Sequence, residues 1–319
     1  MEETGPASFG QIMGVIGDGI VSILQNLAMA FYNLVYAVTH PNSWLSWMGG
    51  LETLEDKQSM MRLVFYGASV EFFYVAFVFF VTIFVFGVWK NNFLWGVVRV
   101  LEGFANSFGR FFAWAGLLMV LQQVVIVFIQ RIFTRPDIVF GFGIPLQFDI
   151  SWYAEELKLY NAMVVTLCLT YTFVQGGHVR VDLVYAAVSH RTKRAIDMFG
   201  SLFFMLPVAV LIWMYTWVFM WRSLIVPPVN ATDQLERLVL KARALRWNVE
   251  TIGFSPNGFN GYFLFKVLMV FMVAMIFVQA WAFFYRSYLE WVEGEESAGK
   301  YLDKDVLDQG EEPYDHAEL

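Results

Sequence analysis

Charge is scarce in this chain. Only 15% of its 319 residues are Asp, Glu, Lys or Arg, where soluble domains carry about a quarter, so an ordinary soluble domain is excluded. Cysteine is scarcer: Cys168 stands alone in an apolar run. It can form no internal disulfide, no Cys/His spacing suggests zinc, and it reads as a small packing residue. The histidines are His40, His178, His190 and His316, and none lies deep in a long apolar stretch. A b-type membrane cytochrome needs histidines facing one another inside its bundle, so that class lacks its parts. Gly-x-Ser-x-Gly, His-Glu-x-x-His and Gly-Lys-Ser/Thr are all missing, which argues against a hydrolase and a nucleotide-driven pump. There is no basic patch with interleaved aromatics, so nucleic acid is not an expected partner. No residue is assigned a catalytic, cofactor-binding or metal-ligating role, and no cofactor is expected.

What the chain has instead is apolar and aromatic length. Hydrophobic residues make up 58% and aromatics 18%, with 12 Trp and 33 Phe, which suits lipid-facing helices with aromatic belts. A membrane span needs about 20 mostly apolar residues. The clearest is "FFAWAGLLMVLQQVVIVFIQ" (111–130), uncharged inside, with Arg110 and Arg131 at its edges. Others run over about 159–174, 195–221 with Pro207 inside, and 262–285 ending at Arg286. The second is short unless 152–158 continues its helix. The fold expected is an all-α integral membrane protein with a four-span core over about 110–287.

The first half is less regular. A fifth span over 63–89 contains Glu71. In 11–38 the polar or small residues Gln11, Gly14, Asp18, Ser22, Gln25, Asn26 and Asn33 trace a stripe at helical spacing. Such a helix lies in the interface or faces other helices. Residues 91–108 are amphipathic, with Phe93, Leu94, Val98 and Leu101 on one face and Arg99, Glu102 and Asn106 off it; they read as a helix lying flat on the membrane. The expected organisation is an N-terminal extension (1–60), an extra span plus the flat helix (61–109), the four-helix domain (110–287) and an acidic tail (288–319). After Tyr288 there are eleven carboxylates and two lysines, a pattern of a solvated end.

The loop over 175–194 holds Arg180, Arg191, Lys193 and Arg194 against Asp182, and the bias of Lys and Arg places it in the cytoplasm. The same topology puts 90–110, 175–194 and the tail on one side. The loop 222–261 conflicts, since Arg237, Lys241, Arg243 and Arg246 lie across the membrane from them. Residues 231–247 read as an amphipathic helix with Leu235, Leu238, Ala242 and Leu245 on one side. Charges inside spans are costly and usually paired, so Lys266 is expected to pair with Glu155 or Glu156 at one membrane depth, snorkelling being the alternative. No internal repeat appears, and Gln122 and Gln123 are the one polar pair in the middle of a span. This reads as a scaffold, whereas a self-sufficient transporter has repeats and broken helices.

"GGHVRVDLVY" (176–185), between a span and a basic cluster that opens the next, resembles the small membrane subunit of tripartite ATP-independent periplasmic (TRAP) transporters, the DctQ-like family. Further pieces arrive in family order: "QRIF" (130–133), "SWYAEEL" (151–157), "LTYTFVQGGHVRVDL" (169–183), "KRAIDMFGSLFF" (193–204) and "SPNGFNGYFLFK" (255–266). The resemblance covers roughly 110–287. The first 109 residues and an insertion near 229–250 go beyond the family pattern.

The resemblance implies a non-catalytic scaffold subunit in a bacterial inner membrane. Its partners would be a large membrane subunit holding the substrate and sodium sites, and a periplasmic binding protein delivering an organic acid or similar solute. Gly177, His178, Val179, Arg180, Val181 and Asp182 would then be a structural motif. Its glycines would permit the helix exit, Asp182 would cap the next helix, and Arg180 would meet headgroups or the partner. Arg237, Lys241, Arg243 and Arg246 would help dock the binding protein. The competing class is the membrane anchor of a respiratory or quinone-linked enzyme, which paired histidines inside the spans or a cofactor spectrum would favour; a self-sufficient channel is a further alternative.

Overall fold

The computed structural model describes residues 9–141, 145–176, 188–251 and 258–303. In chain order its helices are α1 (Phe9–Thr39), α2 (Asn42–Leu45), α3 (Leu54–Gly67), α4 (Val70–Trp89), α5 (Asn91–Val127), α6 (Ile150–Leu167), α7 (Leu169–Gln175), α8 (His190–Gly200), α9 (Leu206–Leu224), α10 (Leu235–Lys241) and α11 (Phe263–Glu293). Two short antiparallel ribbons join them: β1 (Asp137–Gly141) with β2 (Pro145–Asp149), and β3 (Ile225–Val226) with β4 (Arg246–Trp247). Among the described residues, six helical stretches are long and apolar enough to cross a membrane: Met13–Thr39, Val70–Trp89, Asn91–Ile132, Ile150–Gln175, His190–Leu224 and Phe263–Glu293. The chain is an all-α membrane protein. It divides into two compact units, 1–86 with 217–248, and 87–216 with 249–319.

In the first unit, α1 exposes most of its apolar side chains, Val15, Leu24 and Val35 among them, and buries Ala30. The span expected over 63–89 is broken. Helix α3 ends at Gly67, and α4 restarts after Ser69, whose hydroxyl accepts the Phe72 N–H at 3.3 Å. The break puts Glu71 in the first turn of α4, where the helix dipole favours a carboxylate. Helix α3 is amphipathic and begins with a capping box, Thr53 with Asp56, satisfying two donors that a helix start leaves open. The Thr53 hydroxyl and N–H hold the Asp56 carboxyl below its usual range. At its far end the Trp217 indole donates to the Val64 carbonyl at 3.1 Å. Trp221 packs near Trp217, Trp47 and Trp247, with ring centroids 5.7, 6.3 and 6.3 Å away.

The expected helix over 231–247 is shorter than its pattern. Helix α10 gives way to a 3-10 turn at Ala242–Ala244, and Arg246–Trp247 leaves to pair with Ile225–Val226. The apolar side is as the spacing implies, with Leu238, Ala242 and Leu245 buried.

The second unit is built around α11, whose Ala280, Trp281, Ala282, Tyr285 and Leu289 are fully enclosed. Helices α5, α6 and α8 pack on it. Residues 91–108 are joined to the span that follows: α5 is one 37-residue helix that continues into a π turn at Phe128–Ile132. Its Leu94, Val98, Glu102, Ala105, Asn106 and Gly109 are buried, so this stretch packs against protein along the side that carries its polar residues. Helix α6 starts at Asp149, whose carboxylate accepts the Ser151 N–H at 2.9 Å, and it includes residues 152–158. A second π turn, Ser201–Met205, separates α8 from α9. Pro207 follows it and has no N–H to offer the preceding turn, a common origin of such local widening.

Candidate functional site

Helix α7 ends where Gly176 turns left-handed, φ 79°, with its N–H on the carbonyls of Thr172 and Phe173. A residue with a Cβ is strained there, so the first glycine of the motif has a backbone reason. Gly177, His178, Val179, Arg180, Val181 and Asp182 lie outside the described residues. The described residues resume at Val188, and Ser189 caps α8 by accepting from the Thr192 N–H.

Around that helix exit the second unit concentrates its charge. Arg286 of α11 grips Glu102 of α5 with two hydrogen bonds, Nε to Oε1 at 2.6 Å and Nη2 to Oε2 at 2.5 Å. It also donates to the Lys300 carbonyl at 3.0 Å and lies 3.4 Å from Glu290. Glu290 forms an ion pair with Arg194 of α8 at 2.7 Å, and Arg194 reaches Asp197 at 3.1 Å. Glu102, Arg286 and Glu290 are 4%, 7% and 1% exposed. At such burial each charge depends on its partner for solvation. The pattern ties three helices, α5, α8 and α11, at one end.

The acidic stretch after Tyr288, expected as a solvated end, is structured through Asp303. It folds back as a strap. The Gly299 N–H meets Glu290 at 3.2 Å. Lys300 and Tyr301 gather round Trp95, whose indole donates to Glu293 at 2.9 Å. Asp303 takes both guanidinium nitrogens of Arg110, at 2.9 and 3.1 Å, and accepts from Asn106 at 3.2 Å. Its carbonyl accepts from Asn106 and from Gln175 of α7, at 2.8 and 2.9 Å. Arg110 and Asn106 hold the Asp303 carboxyl below the ordinary carboxylate range. The contribution of that carboxylate is therefore full at neutral pH and is lost only as acid titrates through its lowered value. The strap brings 95–110, 175 and 286–303 to one end of the unit, which is the grouping the sequence topology expects. Residues 304–319 lie outside the described residues.

At the other end are the carboxylates expected to pair with Lys266. Glu155 accepts from the Phe259 N–H at 2.9 Å and from the Tyr262 hydroxyl at 3.4 Å. Glu156 accepts from Gln122 at 3.1 Å and from the Tyr160 hydroxyl at 3.3 Å. Lys266 meets Glu250, a residue the sequence reading did not consider. Gln122, the polar residue in the middle of the clearest span, is thus joined to the α6 backbone at Tyr153 and to Glu156.

In the first unit, Asp233 gathers two of the four insertion cations. Lys241 lies 2.6 Å from it and Arg237 3.7 Å. Burial pushes the Asp233 carboxyl up, but Lys241 and the Asn230 N–H outweigh burial and bring it below its usual value. Arg243 and Arg246 are exposed. Among the described residues, no three His, Cys, Asp or Glu side chains converge as a metal site would require.

The buried Glu102–Arg286 pair escaped the sequence reading, because the partners are 184 residues apart. A signal was present: Glu102 and Asn106 on one helix, and Arg286 and Glu290 on another, are each four residues apart and so share a face.

The comparisons bear on the middle of the chain. Residues 141–226 match the family model described as "Tripartite ATP-independent periplasmic transporters, DctQ component". Neither a curated protein nor a solved structure matches the chain. The matched stretch takes in α6, α7, α8 and α9, and over it the chain is similar to the DctQ component of tripartite ATP-independent periplasmic transporters.

Proposed function

We propose that the chain is the scaffold subunit of a sodium-coupled importer of an organic acid or similar solute in a bacterial inner membrane. It works with a large membrane subunit, which holds the moving substrate site, and with a periplasmic solute-binding protein. The DctQ match over 141–226 carries this reading. A scaffold role accords with the way charge is spent here: Glu102, Arg194, Arg286 and Glu290 bind one another, leaving the helices of the second unit cross-braced. The motif Gly177–Asp182 is then a structural loop on the cytoplasmic face. Pairing of Lys266 with Glu155 or Glu156, beside its contact with Glu250, belongs to the same proposal, and a double-mutant cycle reads it.

Reconstitution in proteoliposomes tests the whole. The chain alone should give no sodium-driven uptake of organic acids, while the chain with both partners should. Robust uptake by the chain alone would overturn the scaffold role. In the same vesicles, a cysteine at Gly177 should react only from the cytoplasmic side, and reaction from the periplasmic side would reverse the topology.

The basic insertion is assigned to docking of the binding protein. Asp233 offsets Arg237 and Lys241, so Arg243 and Arg246 should carry most of the steering. Replacing these two with Gln should slow association at low salt and flatten its salt dependence. An unchanged association rate would leave the insertion as a covering element.

A further inference from the structure

Helix α1 is long and apolar enough to cross a membrane over Met13–Thr39, with Gln25 and Asn26 at the middle of that stretch. A helix lying flat in the interface carries Lys or Arg on its polar side. Residues 1–56 contain neither, so the polar stripe of α1 does not suit that role, and α1 reads as a span. From Asn26 to Ala37 one side of it lies against protein. Ala30 is buried there, and Asn26, Leu27, Asn33, Leu34 and Ala37 are half-buried. Residues 17–25 are exposed all round.

A second side of α1, turned about 110° from Ala30 at 3.6 residues per turn, stays open along its length. Val15, Asp18, Ser22, Gln25, Met29 and Tyr32 follow one another there in steps of three and four residues, and all are exposed. That spacing is the seam along which one helix packs on another. Its polar members narrow what can cover it. The Gln25 amide and the Asp18 carboxylate have no partner among the described residues, and Ser22 has a 3.5 Å contact with Asn26 of the same helix. Gln25 stands at the middle of the span, where an amide turned to hydrocarbon is costly, so lipid is a poor cover. A second copy is also a poor one. Both copies insert with the same orientation, and a two-fold axis along the membrane normal sets each Asp18 against its counterpart, with no cation in either helix. A different membrane helix meets every demand if it offers a hydrogen-bonding side chain level with Gln25 and a Lys or Arg about 10 Å further along, level with Asp18.

We infer that this side of α1 is a docking seam for one membrane helix of the large subunit, with a basic side chain of that helix against Asp18. The inference rests on the proposed function for its partner. It goes beyond it in place: α1 lies outside the residues that match the family model, 141–226, so the seam is additional to any contact made by that stretch.

The test co-expresses the full chain with the large subunit and recovers both through a tag on the latter. A hydrogen bond between membrane helices is worth about threefold in association. Asp18→Leu, Ser22→Leu and Gln25→Leu together should therefore lower recovery by about an order of magnitude or more. The same triple variant, expressed alone, should unfold at the wild-type temperature, because all three side chains are exposed. Leu24→Ala with Phe31→Ala, exposed on another side of α1, should recover as wild type does. Asp18→Lys should lose more than Asp18→Asn, since it sets like charges together. A benzophenone carried on Ser22→Cys in a Cys168→Ser background should crosslink to the large subunit. Equal recovery of the triple variant and wild type would overturn the seam, as would crosslinking only to lipid or to a second copy of the chain. Equal recovery of Asp18→Lys and Asp18→Asn would overturn the facing cation. If wild type itself is not recovered with the large subunit, the proposed function fails and the seam with it; if wild type assembles and the triple variant assembles equally well, the seam alone fails.

Discussion

Replacing Arg286 with Met should destabilise the folded chain by about 3–5 kcal/mol, the usual cost of breaking a buried ion pair from one side. The reason is what stays behind. Glu102, 4% exposed, loses both of the hydrogen bonds that solvate it, and Glu290 keeps Arg194 and the Gly299 N–H. Lysine should rescue poorly, since a point charge cannot reproduce two parallel bonds to one carboxylate. Thermal unfolding in nanodiscs provides the measurement, with Glu102→Gln alone and combined with Arg286→Met completing the cycle. The double variant should recover a substantial part of the loss. A loss within about 0.5 kcal/mol for Arg286→Met, or strict additivity in the cycle, would mean that the pair does not brace the unit.

That prediction lies where the sequence was hardest to read. Apolar length alone located 111–130, 159–174, 195–221 and 262–285, each of which, Tyr262 apart, falls inside one of the long helical stretches of the structure. The Gly-His-Val-Arg-Val-Asp run pointed to the DctQ family, and the family match encloses it. Periodicity misjudged residues that are polar and buried together. Glu102 and Asn106 look like the wet side of a flat helix, because hydropathy scores a carboxylate by its cost in lipid. It cannot score the guanidinium that α11 brings to it. The strap was hidden for a similar reason: a run of carboxylates reads as a solvated end unless Arg110, Gln175 and Trp95 are known to be near. At 63–89 the pattern stayed apolar across the break at Ala68–Ser69, where a local cap at Ser69 coincides with a tertiary contact. The Trp217 ring packs on Gly67, where a Cβ would come within 2.5 Å of it. In the insertion, the spacing found the apolar side of α10 but could not see that Arg246–Trp247 would pair with β3.

Gly109→Ala should also be strongly destabilising, although it adds a single methyl group. Helices α5 and α7 meet there so closely that a Cβ on Gly109 would fall 2.1 Å from the Tyr171 Cβ and 2.6 Å from its Cγ. Neither atom is the end of a flexible side chain, so Tyr171 cannot swing away and the two backbones must part. The approach also sets the contact between the Cys168 thiol and the Gly109 carbonyl, 3.4 Å apart, at the joint between α6 and α7. Forcing added volume into a packed core typically costs about 1–3 kcal/mol and sometimes more, and the upper part of that range is expected where backbone has to move. Gly103→Ala, on the same helix with open space at its Cβ, should be neutral or gain up to about 1 kcal/mol from helix propensity. Tyr171→Gly removes the opposing Cβ, so it should offset part of the Gly109→Ala penalty in the double variant. Unfolding of the four proteins in one bilayer composition decides the matter: equal stability of the Gly109 and Gly103 variants would show that the α5–α7 contact is not the tight joint described.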